Sequence, residues 1–111
     1  MNKEKNMKEL QEDKEFQADV LQNAKPVLVD FFATWCGPCR IMSPIVDSVA
    51  EELKDTIDAC KVNVDILSDT AAEFRISSIP TFMLFKQGQS VARRVGGMSK
   101  EDLKNWIQEN A

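Results

Sequence analysis

Two cysteines with two residues between them, Cys36 and Cys39 in Trp35-Cys36-Gly37-Pro38-Cys39, carry the most direct chemistry this sequence offers. Residues three apart on a helical turn lie about 5–6 Å from each other, and a disulfide needs Cα atoms roughly 4.4–6.8 Å apart. The pair can therefore close or open a bond with little backbone movement. That spacing admits a redox switch, a zinc half-site or a structural staple. Histidine is absent, which removes Cys–His and Ser–His–Asp nucleophiles and any histidine-ligated metal. Any base must be a carboxylate, an amine or another thiolate. Zinc needs four ligands as a rule, and beyond the pair only Cys60 and carboxylates remain. Three cysteines in all do not resemble a secreted disulfide framework. In a reducing compartment such a pair is more often redox-active or metal-binding than structural.

The thiols follow an apolar run, Val27–Phe32, that is apolar on both faces apart from Asp30 and reads as a central buried strand. A helix over 38–53 comes next, with Ile41, Ile45, Val49 and Leu53 spaced as its inward face and Pro44 expected to bend it. Cys36 then sits at the helix start, where orphan N–H groups and the dipole favour an anion and lower a thiol's pKa. Pro38 is tolerated there because a first-turn N–H has no helical partner. Cys39, one turn further in, is expected to be the more buried and less reactive thiol. Asp30 is expected to have a raised pKa through desolvation, fitting it as a proton acceptor; the alternative is a partly solvated residue at a sheet irregularity.

Elsewhere, residues 13–22 read as a helix capped by Asp13, with Phe16, Val20 and Leu21 inward. Before it, 7–10 is a weak edge-strand segment. A second central strand spans 57–64, a short helix follows over 69–74 with Ser68 as its cap, and 81–85 is a third strand. Gln87-Gly88 turns it into 90–95 as a hairpin. Ser99-x-x-Asp102 opens a terminal helix with Leu103, Trp106 and Ile107 inward. The order (β)αβαβαββα gives an α/β fold, parallel units first and an antiparallel hairpin last, with helices on both faces of a mixed sheet.

At 111 residues the chain reads as one domain, 1–111, and a net charge of −4 argues against nucleic-acid binding. The charged start, Met1 to Asn6, leads into no apolar h-region, and no run approaches a membrane span. A cytoplasmic location is the default expectation. Cys60 reads as a buried strand thiol, with glutathionylation as the alternative. Lys86, Arg93 and Arg94 read as an exposed hairpin face.

Trp-Cys-Gly-Pro-Cys after Val-Asp-Phe-Phe, then Lys-Val-Asn-Val-Asp, Ile-Pro-Thr-Phe and Val-Gly-Gly in that order, make the chain resemble the thioredoxin family from about Phe16 to its end. The resemblance implies the thioredoxin fold, a central mixed sheet of four to five strands, and a general protein disulfide reductase. It assigns Cys36 as nucleophile and Cys39 as resolving thiol, with Asp30 behind them and Lys61 as its neighbour. It implies a cis Pro80 facing the disulfide, although X–Pro bonds are mostly trans. Trp35, Gly37, Ile79, Pro80, Gly96 and Gly97 would form a substrate groove where an extended peptide pairs; without the family, Gly96-Gly97 is a plain turn. No cofactor beyond the disulfide is implied. The implied partners are thioredoxin reductase and oxidised proteins, and the implied state is monomeric. A disulfide oxidase or isomerase of the same fold is the alternative, and Gly37-Pro38 resembles the reducing end of the family. Phe32, Ser78 and Arg40 depart from the common tryptophan, glycine and lysine, and none touches the cysteine pair.

Overall fold

The computed structural model describes residues 7–111, so the charged start, Met1 to Asn6, lies outside the described residues. Five strands form one sheet: β1 (Met7–Glu9), β2 (Val27–Phe32), β3 (Asp58–Asn63), β4 (Thr81–Lys86) and β5 (Gln89–Val95), in the order β1-β3-β2-β4-β5. The strands β1, β3 and β2 run parallel, and β4 and β5 are antiparallel to their neighbours. This is the mixed α/β sheet that the element order implies. The helices are α1 (Gly37–Glu52), α2 (Ser68–Glu73) and α3 (Lys100–Asn110), and a helical turn precedes β2.

Strand alternation sorts the core into two layers. Leu28, Ala59, Phe82 and Leu84 pack under α1 and α3 with Met42, Val46, Leu103 and Ile107. Val27, Val29, Phe31, Val62, Met83 and Phe85 pack on the other face with Phe16, Val20 and Leu67. Side chains two apart share a face. Asp30 therefore points, with Leu28, toward α1 and the cysteine pair.

Three local expectations are corrected. Residues 13–22 do not make an ordinary capped helix. Gln17–Leu21 winds as a π turn, closed by the Gln22 N–H donating to the Gln17 carbonyl at 2.9 Å. Asp13 does not cap it. Its Oδ1 instead accepts from the N–H and hydroxyl of Thr70, at 2.9 and 2.6 Å. That gives α2 its N-terminal cap from across the chain, and Ser68 is the helix's first residue rather than its cap. The third correction concerns one position of α1: Ile41 is 71% exposed, whereas Val49 and Leu53 are buried and Ile45 packs against the core as expected, with Cys39, Met42, Val46 and Ala50 completing the inward face. The true stripe uses mixed three- and four-residue steps, as a 3.6-residue turn requires, whereas a pure four-residue row drifts off the face.

The remaining elements match in kind and nearly in bounds. Pro44 lies within α1 and cannot supply a donor to the preceding turn. Ser99 Oγ accepts from the Asp102 N–H at 3.1 Å at the start of α3. Gln87 and Gly88 both have positive φ, 52° and 81°, the combination a two-residue hairpin turn demands.

Candidate active site

The end of β2, the start of α1 and the entry to β4 meet at the cysteine pair. Cys36 is the N-cap of α1 with extended backbone, φ −88° and ψ 111°. Its Sγ accepts a hydrogen bond from the Cys39 N–H at 3.1 Å. The two Cα atoms are 5.2 Å apart and the sulfurs are bonded as a disulfide. Pro38 is the second residue of the helix, where its missing N–H costs nothing. Gly37 begins the helix, and a side chain there would meet nothing within 4 Å.

Exposure does not separate the two sulfurs as the sequence suggests. Cys36 is 4% exposed and Cys39 6%, both packed with Ala33, Phe32, Val64 and Ile79. Their neighbours separate them instead. Cys36 Sγ lies 3.8 Å from the carbonyl oxygen of Ile79, and the Ile79–Pro80 bond that follows is cis. Gly96, at φ 95°, donates its N–H to the Pro80 carbonyl at 2.8 Å, and Gly97 lies against the Met42 side chain. Trp35 stands 66% exposed beside the pair in sequence, with its indole N–H donating to Asp65 Oδ2 at 2.8 Å.

Cys39 lies on the side of Asp30. It lines a cavity of about 300 Å³ with Asp30, Phe32, Ser43, Lys61 and Glu9. Asp30 is 4% exposed, and its Oδ1 has no hydrogen-bond partner among the described residues. Burial pushes its carboxyl up to about 7, against a smaller lowering by Lys61 and with a further rise from Asp47. Lys61 is the strand-register partner of Asp30, but its ammonium bonds elsewhere. It donates to Ser43 Oγ at 3.0 Å and pairs with Asp47 Oδ1 at 3.3 Å, both on α1.

A bonded cysteine pair at a helix start beside a cis-proline strand is the arrangement the motif order anticipates. The Thioredoxin family model matches residues 7–109. The thioredoxin of Rickettsia conorii is 42% identical over 98 residues, 88% of this chain and 93% of the relative. That of Porphyra purpurea is 45% identical over 97 residues, 87% and 91% of the two chains. Thioredoxin 1 of Synechococcus elongatus is 44% identical over 98 residues, 88% and 92%. The chain belongs to the thioredoxin family.

As a thioredoxin-family protein with a Cys-x-x-Cys disulfide, it is a protein-disulfide reductase whose redox group is the Cys36–Cys39 bond. Among the described residues no cluster of three or more histidines, cysteines or carboxylates could hold a metal. Nor, among the described residues, is any helix long and apolar enough to cross a membrane. Of the departures from the family pattern, one does touch the cysteine pair, contrary to expectation, because the end of β2 runs beside the start of α1. Phe32 packs against the cysteine cluster, Arg40 donates to the Thr34 carbonyl at 3.1 Å, and the Ser78 carbonyl accepts from the Thr81 hydroxyl at 2.5 Å.

Cys60 is 5% exposed on β3, and burial pushes its thiol up. Arg93 of the hairpin face donates to the Phe74 carbonyl.

Sequence reasoning missed Glu9, Ser43, Asp47 and Asp65. For Ser43 and Asp47 a signal exists: with Cys39 they recur every fourth residue, which places them along one side of a helix. Glu9 and Asp65 reach the site only through strand order and loop packing.

Proposed function

We propose that this thioredoxin is a general, single-domain, monomeric reductant of protein disulfides in the cytoplasm, re-reduced by thioredoxin reductase. One observation carries the division of labour: Cys36 Sγ lies beside the Ile79 carbonyl and Pro80, whereas Cys39 shares a cavity with Asp30. A substrate peptide pairs in extended form with the Ile79 edge, in a groove completed by Trp35, Gly37, Pro80, Gly96 and Gly97.

In the reduced protein, the N–H of Cys39 and the helix start favour the Cys36 thiolate. That thiolate attacks one sulfur of the target disulfide, and the other leaves as a thiolate. Asp30, ionised in part near neutral pH, takes the proton of Cys39. The Cys39 thiolate then attacks Cys36 Sγ and the bond to the target breaks; each of the two released target thiolates takes up a proton from water, and Asp30 returns the proton it took to water. Two thiols have become one disulfide, and the target disulfide has become two thiols.

A Cys39→Ser variant is expected to accumulate covalent adducts with target proteins on non-reducing gels, because release needs the second thiol. Adducts formed by Cys36→Ser and not by Cys39→Ser would reverse the two roles.

A further inference from the structure

Ser43 and Asp47 take no part in the cycle above, yet they hold Lys61. Two rows of side chains cross at this point. One runs over the sheet: Glu9, Lys61 and Asp30 are register partners on three adjacent strands, and all three line the cavity. The other runs along α1 through Cys39, Ser43 and Asp47, one helical face in four-residue steps. The rows join where the Lys61 ammonium meets Ser43 Oγ at 3.0 Å and Asp47 Oδ1 at 3.3 Å. The Lys61 side chain is 17% exposed and that of Asp47 28%, so solvent screens the pair less than at the surface. Asp30 Oδ1, one strand away, has no hydrogen-bond partner among the described residues. It is the natural alternative seat for that ammonium.

We propose that Ser43 and Asp47 are positioning residues that hold the Lys61 ammonium on α1, off Asp30, and thereby govern how readily Asp30 takes the proton of Cys39. The proposal rests on Asp30 being that proton acceptor. An ammonium moved to within about 4–6 Å of a carboxylate favours its ionised form and lowers its pKa by roughly 1–3. Lys61 already opposes the burial of Asp30, and Asp47 adds to the rise. The other groups facing the cavity are Glu9 from β1 and Arg40 and Cys39 from α1. From β4, Phe82 stands opposite Asp30 and brings no charge. Releasing Lys61 from α1 thus makes Asp30 a stronger acid and a weaker proton acceptor.

The test is a carbon-13 titration of the Asp30 carboxyl in the oxidised protein, where neither active-site thiol titrates and the midpoint belongs to Asp30 alone. Ser43→Ala changes no charge, so it acts on Asp30 only through Lys61. The midpoint is expected to fall by about one pH unit in Ser43→Ala and in Asp47→Asn. In a Lys61→Met background, Ser43→Ala is expected to do nothing, because no ammonium is left to release. Asp47→Asn also removes a charge that raises Asp30 directly, so Ser43→Ala decides: an unchanged midpoint there, or an equal Ser43→Ala effect without Lys61, would overturn the proposal. Should Asp47→Asn fail to fold, the Ser43→Ala pair decides alone, since alanine suits a helix interior. The pH profile of target release from the mixed disulfide, in the same variants, separates the two readings. A midpoint that moves while the release profile stays leaves the clamp standing and removes Asp30 as the acceptor.

Discussion

Asp30 is a carboxyl group held where its charged form is disfavoured, and the consequence is read in stability. Its folded pKa is raised from 3.8 to about 7, mainly by burial. Between those values the folded protein keeps a proton that the unfolded chain releases, so this residue's contribution to stability is full below about pH 4. It declines as pH rises toward 7 and is flat above. Asp30→Asn removes that dependence. In urea unfolding of the oxidised protein, the variant is expected to gain up to about 4 kcal/mol over the parent at pH 8, from roughly 1.4 kcal/mol per pKa unit. The gain is expected to shrink toward zero near pH 4. The depressed carboxyls Asp13, Glu15, Glu52 and Asp58 work in the opposite direction, but they are common to both proteins and cancel in the difference. A gap of equal size at both pH values would show that Asp30 is not a buried acid.

At the scale of elements, connections decide what patterns leave open. Gly88 closes the β4–β5 hairpin at φ 81°, and a Cβ there would lie 3.0 Å from the Leu21 carbonyl oxygen. Gly88→Ala is therefore expected to lower stability by about 1–3 kcal/mol, read as a lower urea midpoint with an unchanged slope. No loss would mean that the turn relaxes away from the helical turn beneath it. The same hairpin was legible in sequence, because Gln87-Gly88 separates two strand runs. The turn before β2 was not. Asp13 looks like a local cap, but its carboxylate serves Thr70, 57 residues on, and no local pattern encodes such a partner. In α1 the periodicity gave the helix and most of its inward face, Ile45, Val49 and Leu53, but Ile41 is exposed and Met42 is buried in its place. A row of branched apolar residues stood out, and the real face adds cysteine, methionine, a further valine and alanine to it.

For the molecule as a whole, the sheet order brings the consecutive elements that carry Asp30 and Cys36–Cys39, β2 and α1, against Pro80 at the entry to the much later β4. Those residues were visible in the chain because each is unusual in its setting: paired thiols before a helix, a lone acid in an apolar strand, a proline opening a strand. Lys61 was visible too, but its seat on Ser43 and Asp47 was not, since a strand lysine gives no hint of which helix it will meet. The near-equal burial of the two cysteines was equally hidden. It follows from how Phe32, Val64 and Ile79 close around the disulfide. What makes the assembly a reductase is that this one disulfide opens and closes against a target's. The most direct measurement is insulin reduction with dithiothreitol as electron donor, comparing the parent chain with Cys36→Ser. The parent is expected to accelerate insulin precipitation well above dithiothreitol alone, and Cys36→Ser to fall back to the dithiothreitol rate. A parent no faster than dithiothreitol, or a Cys36→Ser variant as fast as the parent, would contradict the account.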